Sequence, residues 1–221
     1  MNKVIILAVQ PQWLQKILTG KKTIEIRKST PKCDYPIDVY LYCTKGKPFL
    51  LDLRFLKEDK CLMYDLSIKD FDTFVSRVDA EIINTTLNGK IVAKFTLNKV
   101  DKINNCGSCF EIANESYAYT NAIGNRSCLD FNDMKKYLND KDGYAWHIDN
   151  LQIFDKPMEL REFYKNNYQV IQDYEPCNNY DCIYVVDNSI LGDDGYCPVD
   201  ECPRLRISRP FPSWGYAYKE E

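Results

Sequence analysis

The first 28 residues change hydrophobic period twice, and this change constrains the fold more than any other feature of the chain. Residues 4–9 form a continuous apolar run, which is typical of a strand buried on both faces. Pro11 is suited to the start of a helix and Gly20 to its end. The apolar positions between them recur at helical spacing and are Trp13, Leu14, Ile17 and Leu18. Residues 23–28 then alternate, so the sequence predicts a strand, a short helix and a second strand.

Later segments predict more strands than helices. Strands are indicated at residues 38–43, 90–100 and 144–154, with one or two closing strands within 205–218. Three further patterns predict helices: an amphipathic stretch at 66–78, a segment capped by Asp130, and a short segment that Pro157 begins. This order of elements indicates an α+β fold with a barrel-like sheet.

Composition excludes several classes of protein. The sixteen Tyr and ten Phe among 221 residues argue against disorder. No run reaches the roughly 18 apolar residues that a membrane helix needs, and the first residues lack the cleavage site of a secretory signal. We therefore expect a cytoplasmic protein with no membrane partner, whose ten Cys are reduced thiols or metal ligands. A net charge of -3 means that nucleic acid would be bound by a local basic patch.

Several short segments follow one another in the order of a known family. Residues 20–27 read Gly-Lys-Lys-Thr-Ile-Glu-Ile-Arg, and residues 87–95 read Leu-Asn-Gly-Lys-Ile-Val-Ala-Lys-Phe. Residues 143–148 read Gly-Tyr-Ala-Trp-His-Ile, residues 154–157 read Phe-Asp-Lys-Pro, and residues 209–216 read Arg-Pro-Phe-Pro-Ser-Trp-Gly-Tyr. With the opening strand and helix, these segments resemble the ASCH family of the PUA-like superfamily, in the long form typical of phages and prophages. The resemblance implies an α+β fold built on a PUA-like β-barrel with flanking helices.

The resemblance also divides the chain into parts. Residues 1–166 correspond to the ASCH domain, with a helical insertion at about 46–88. Residues 167–204 form a Cys-containing extension, and residues 205–221 are expected to return to the barrel as closing strands. A phage-encoded protein of this kind would act in the host cytoplasm.

A basic segment surrounds the second strand. Residues 16–32 hold six Lys or Arg and one acid, Glu25, so this stretch can contact phosphates although the whole chain is acidic. Alternation places Thr23, Glu25 and Arg27 on one face, where they offer a hydroxyl, a carboxylate and a guanidinium to a base edge or a phosphate. The alternative is a solvated strand face with an ion pair at the surface.

The resemblance favours a binding site, because in ASCH proteins this strand lines the ligand cleft. We therefore expect the chain to bind RNA or a modified nucleotide. The residues expected to contact this ligand are Lys21, Lys22, Thr23, Glu25, Arg27 and Trp146. Trp146 can stack on an unpaired base, whereas Trp13 lies on the apolar stripe of its helix and is expected in the core. His147 is expected to be a hydrogen-bonded structural residue.

A hydrolase is the first alternative, and it also comes from the resemblance. A small bacterial relative is an amidohydrolase of acylated cytidine, and its catalytic group combines a Lys, a Thr and a distant Glu. Lys22 matches the Lys, but Glu25 stands at the Thr position, so the hydroxyl nucleophile is missing there. In a hydrolase of acylated nucleosides, the catalytic residues would be Lys22, Thr23 and Glu25, with Glu25 as a base on water.

A phage counter-defence protein that binds a host protein is the second alternative. Its working surfaces would be the insertion at 46–88 and an acidic run at 187–201, which contains five acids and no base. An acidic run repels nucleic acid and is suited to a protein partner with a basic surface.

The cysteines suggest a metal site. Cys177 and Cys182 are separated by four residues, as are Cys197 and Cys202, and this spacing can close a four-cysteine zinc knuckle. Cys106 and Cys109 have the commoner two-residue gap but no matching second pair, which leaves inert thiols or a partial metal site.

Overall fold

The computed structural model describes residues 1–45, 50–52, 62–64, 87–112, 123–165 and 206–220. Most of the expected insertion at 46–88, including its amphipathic helix, lies outside these residues. The same is true of the extension at 167–204 and the acidic run at 187–201. Two short strands within the insertion are described, β4 (Leu50–Asp52) and β5 (Leu62–Tyr64), and they pair antiparallel.

Five strands form the larger sheet, in the order β10-β6-β3-β1-β11. Their bounds are β1 Asn2–Val9, β3 Ile37–Cys43, β6 Ile91–Leu97, β10 Asp149–Met158 and β11 Trp214–Lys219. β1 runs parallel to β3, while the other neighbours are antiparallel. The closing segment thus returns as a single strand beside β1, at the edge of the sheet.

Helix α1 (Pro11–Leu18) connects β1 to the second sheet. Pro11 occupies its first turn, as expected for a residue that cannot donate a backbone hydrogen bond. The helix buries Leu14, Ile17 and Leu18, and Gly20 follows its end with a φ of +71°. The strand-helix-strand opening predicted from the hydrophobic periods is therefore confirmed.

Four strands form the smaller sheet, in the order β2-β9-β7-β8. Their bounds are β2 Ile24–Arg27, β7 Val100–Asn105, β8 Phe110–Ile112 and β9 Gly143–His147. A helical segment at 123–127 and helix α2 (Phe131–Leu138) precede β9, and a short 3-10 helix, Leu160–Glu162, follows β10. None of the helices in the described ranges is long and apolar enough to cross a membrane.

Three apolar clusters form the core. The first packs one face of the larger sheet, including Ile5 and Phe95, against α1 and Trp146. The second covers the opposite face, where Ile6 and Tyr40 meet Phe163. The third lies between the smaller sheet and α2, and it includes Ile24, Ile26, Ile103, Met134 and Leu138.

Two long strands predicted from the sequence are each divided between the sheets. The run 90–100 forms β6 in the larger sheet and continues after Asn98 and Lys99 as β7 in the smaller one. The run 144–154 forms β9 and then β10, which belong to different sheets on either side of Ile148. Hydrophobic alternation continues across such a change of sheet, so periodicity cannot locate it.

The α+β class is confirmed, whereas closure of a barrel is not observed among the described strands, which form open sheets. Pro157 lies inside β10 rather than at the start of a helix. The short helix begins after Glu159 instead, because Glu162 accepts a hydrogen bond from the Glu159 amide at 2.7 Å and closes a capping box.

Replacing the cap of α2 gives a first test of this architecture. Asp130 Oδ1 accepts a hydrogen bond from the Asp133 amide at 2.7 Å, as the sequence predicts. Asp130→Ala should therefore lower the free energy of unfolding by about 1 kcal/mol, measured by urea denaturation. Asn132→Ala, an exposed change in the same turn, is the control and should be neutral or slightly stabilising. Equal losses in the two variants would contradict the capping role.

Candidate functional site

Strand β2 separates its side chains onto two faces. Ile24 and Ile26 enter the third apolar cluster, beside α2. Glu25 and Arg27 leave the opposite face and are both about 7% exposed. The predicted alternation is thus confirmed for Ile24 to Arg27 but not for Thr23, and the polar face of the strand is buried rather than solvated.

Three charged side chains form what we call the ionic triad: Lys22, Glu25 and Arg27. Lys22 Nζ lies 3.3 Å from Glu25 Oε2, and Arg27 Nη2 lies 2.8 Å from Glu25 Oε1. Lys22 is only 3% exposed. One carboxylate therefore joins two buried cations, which leaves a net charge of about +1.

Neighbouring segments hold the triad in place. Lys22 Nζ donates to the Ser127 carbonyl at 2.6 Å, which anchors it to the helical segment 123–127. Arg27 donates to the Ala8 carbonyl at 3.0 Å and to Ser213 Oγ at 3.1 Å. These bonds join β2 to β1 and to the turn before β11. Segments from the first and the last part of the chain therefore hold Arg27 in position.

The triad forms part of the wall of a large open cavity, which we call the triad cavity. Its volume is about 1170 Å³. It lies among the end of β1, the start of α1, β2, α2 and the turn before β11. Its polar and aromatic lining residues include Gln10, Gln12, Trp13, Lys22, Glu25, Arg27, Lys28, Ser29, Thr44, Asp133, Lys136, Tyr137, Asn139 and Ser213.

The cavity is basic although the chain is acidic. Of the described residues that line it, four are basic (Lys22, Arg27, Lys28 and Lys136) and two are acidic (Glu25 and Asp133). Lys28 and Lys136 are exposed, so they can meet an anion with little loss of hydration. The cavity is therefore suited to a ligand with negative charge.

Two aromatic side chains lie among these charges. Trp13 is half-buried, and Lys22 Nζ lies 5.5 Å from the centre of its ring. Burial raises the pKa of the Tyr137 phenol, while the nearby Arg27 guanidinium opposes part of this rise. The phenol is therefore neutral at physiological pH and can donate a hydrogen bond.

Three residues expected to bind the ligand lie elsewhere. Lys21 is exposed and does not line the cavity. Thr23 Oγ1 instead accepts a hydrogen bond from Arg126 Nε at 3.3 Å, because residue 23 precedes β2 and turns towards the helical segment 123–127. Trp146 has no exposed surface, donates to the Ser29 carbonyl at 3.3 Å and packs edge-on against Trp214. A fully buried ring cannot stack on a base, so the candidate site does not include Trp146.

The site contains residues that sequence reasoning missed. Trp13 packs against the core and also lines the cavity. Its place on the apolar stripe of α1 predicted only the first of these contacts. Lys136 and Tyr137 come from α2, and Ser213 comes from the closing segment. No local pattern links them to β2, since they are more than one hundred residues away in the chain.

His147 has the hydrogen-bonded surroundings expected of a structural histidine. Its Nε2 lies 2.7 Å from Asp101 Oδ2, and its Nδ1 lies 3.5 Å from Arg126 Nη2. Asp101 also pairs with Lys99 at 3.0 Å. This network joins β7, β9 and the helical segment 123–127 outside the triad cavity.

The six cysteines considered as metal ligands fall into two groups. The four proposed zinc ligands Cys177, Cys182, Cys197 and Cys202 lie outside the described residues. Cys106 and Cys109 are described, at the turn between β7 and β8. The nearby Glu111 carboxylate is the main cause that raises the pKa of the Cys106 thiol to about 11.

No protein family and no curated protein matches the sequence. The structure is similar to that of the ASCH protein from Zymomonas mobilis, with a TM-score of 0.42, 13% sequence identity, and coverage of 71% of this chain and 73% of that chain. A point variant of the same protein has a TM-score of 0.43, 12% identity, and coverage of 72% and 77%.

Proposed function

We propose that this protein binds RNA or a modified nucleotide in the triad cavity. The observation that carries the proposal is the ionic triad itself, three buried charges in the wall of a basic cavity. Burying an ion triad costs several kcal/mol per ion in desolvation, and well-packed apolar residues of the same volume often stabilise a fold at least as well. Fixed charges in a cavity wall are therefore better explained by recognition than by packing.

The polar groups of the triad suit a nucleobase. Glu25 Oε2 is buried and accepts no hydrogen bond from the residues that the structure describes, although Lys22 lies within ion-pair distance. An acceptor held in this way can receive a hydrogen bond from the amino or imino group of a base. The guanidinium of Arg27 is fixed beside it and can face a phosphate or a carbonyl oxygen.

The size and the aromatic lining of the triad cavity also fit a nucleotide. Ligand pockets commonly measure about 300–1,000 Å³, so a cavity of about 1170 Å³ accommodates a whole nucleotide. Trp13 and Tyr137 supply rings for stacking, which contributes about 1–3 kcal/mol per base. Lys28 and Lys136 are exposed among the lining residues, where a phosphate would approach from solvent. The resemblance of residues 20–27 to the first ASCH signature adds support, because that strand lines the ligand cleft in the family.

The exposed lysines allow a test that leaves the buried triad intact. Lys28→Ala with Lys136→Ala should weaken the binding of a fluorescein-labelled 12-nucleotide single-stranded RNA by about tenfold or more. The slope of log Kd against log salt concentration should become shallower by about 1.4 if two phosphate contacts are lost. Fluorescence anisotropy measures both, and cytidine 5′-monophosphate as competitor reports on binding of a single nucleotide.

Lys102→Ala with Lys141→Ala is the matched control. Both lysines are exposed, and neither lines the triad cavity. This double variant removes the same charge and should bind like the parent, apart from a small general effect of charge. Equal weakening by the two double variants would mean that RNA is held by diffuse charge rather than in the cavity.

Hydrolysis of acylated cytidine is the alternative, and the position of Thr23 argues against it. Its hydroxyl accepts a hydrogen bond from Arg126 and does not line the cavity with Lys22 and Glu25. Incubation with N4-acetylcytidine decides between the two functions. Deacylation by the parent above the rate in buffer alone would replace the binding proposal with an enzymatic one.

A further inference from the structure

The hairpin of β7 and β8 brings two thiols and a carboxylate together. Ligand atoms of Cys106, Cys109 and Glu111 all lie within 4.8 Å of one another, and Cys109 Sγ is 3.3 Å from Glu111 Oε1. In the described part of the chain, this is where three such side chains meet closely enough to hold one ion. The cluster lies outside the triad cavity and is independent of the proposed function.

The backbone of the turn is fixed independently of any ligand. The Cys106 amide donates to the Cys109 carbonyl at 3.0 Å, which closes the turn between the paired residues Asn105 and Phe110. Gly107 has a φ of +83°, a conformation that favours glycine. Its amide donates to Asn105 Oδ1 at 2.9 Å, so the two thiols leave a defined turn.

A second layer of bonds supports the same turn. The Asn105 amide donates to Asp142 Oδ1 at 3.0 Å, and Asn105 Nδ2 donates to Asp140 Oδ1 at 2.7 Å. These bonds tie the hairpin to the loop between α2 and β9. The three ligand atoms, which lie within 4.8 Å of one another, are therefore carried by a supported backbone.

We propose that Cys106, Cys109 and Glu111 bind a zinc ion, with water or another molecule in the fourth position. Zinc is bound tetrahedrally by thiolates at about 2.3 Å and carboxylates at about 2.0–2.2 Å, and a two-residue gap between cysteines is common among its sites. Thiolate ligands select zinc over magnesium or calcium, which prefer oxygen ligands. The cluster is accessible to an incoming ion, because Cys106 and Glu111 are exposed and Cys109 is half-exposed.

The experiment uses the full chain, freed of metal by a chelator and kept reduced. Zinc is titrated with a colorimetric competitor, and cobalt serves as a spectroscopic probe, because thiolate ligands give tetrahedral cobalt strong absorption. Cys106→Ser with Cys109→Ser should remove one equivalent of bound metal and the absorption that belongs to it. Glu111→Gln, a single exposed change, should weaken cobalt binding at this site at least as much as loss of an outer-shell partner does, about tenfold or more.

Two control variants distinguish this site from other thiols. Cys128→Ser removes a described thiol outside the cluster and should leave the stoichiometry unchanged. Cys177→Ser with Cys197→Ser removes two ligands of the zinc knuckle predicted from the sequence. It should leave the one equivalent of metal that binds at the hairpin. The proposal is overturned if the hairpin double variant binds as much metal as the parent. It is also overturned if the reduced parent binds none, or if the two hairpin cysteines only form a disulfide.

Discussion

Glu25→Ala is expected to lower the free energy of unfolding by about 3–5 kcal/mol. Removing the carboxylate leaves Lys22 and Arg27 buried without their shared counter-charge, and an uncompensated buried ion is strongly destabilising. Both cations are more than nine-tenths buried, and bonds to the Ser127 and Ala8 carbonyls hold them in that position. Urea denaturation followed by circular dichroism gives the free energy, provided that the slope with denaturant is unchanged.

A matched ion pair provides the control for this prediction. Asp38 and Lys94 approach to 2.7 Å across β3 and β6, but their side chains are 35% and 27% exposed. Asp38→Ala should therefore cost less than about 1 kcal/mol. A loss of similar size in Asp38→Ala and Glu25→Ala would falsify the assignment of a buried triad. Glu25→Gln keeps the shape of the side chain but not its charge, so most of the loss should persist in that variant.

Hydrophobic periodicity predicted the first strand, helix and second strand, because the two faces of each element lie in different environments. Ile5 and Leu7 enter the first apolar cluster, and Val4 and Ile6 enter the second, as expected for a strand buried on both faces. In β2 the same period-two pattern separates Ile24 from Glu25. What the pattern did not indicate is that the polar face of β2 is covered by other parts of the chain.

The full composition of the cavity could not be read from the sequence, because distant segments complete the wall that residues 8–29 begin. Lys136 and Tyr137 reach it from α2, and Ser213 reaches it from the turn before β11. Thr23 precedes the strand and bonds to Arg126 instead of following the alternation. The position of each of these residues depends on how the two sheets pack, which is a tertiary property that no local period records.

The tryptophans illustrate the same limit. Trp13 packs against the core as expected but also lines the cavity, whereas Trp146, expected beside the ligand, is fully buried. Trp146 lies on β9 directly opposite Glu25 on β2, yet its ring does not line the triad cavity. Its ring instead fills the space between the sheets and contacts Trp214, with ring centres 5.4 Å apart.

Trp146→Ala should consequently cost about 3–5 kcal/mol of folding free energy, because it opens a cavity in the main core. The loss includes the hydrogen bond from Nε1 to the Ser29 carbonyl and the edge contact with Trp214. Trp214→Ala is the control and should cost less, since Trp214 is only partly buried.

Trp146→Phe separates a core role from a ligand role. This variant retains most of the buried volume, so it should fold and should bind the labelled RNA within about twofold of the parent, since Trp146 has no exposed surface. Trp13→Ala, by contrast, should weaken binding by about 1–3 kcal/mol if a base stacks on its ring. The reverse result, with binding lost in Trp146→Phe and retained in Trp13→Ala, would require the ligand to enter the space between the sheets. The triad cavity would then not be the binding site.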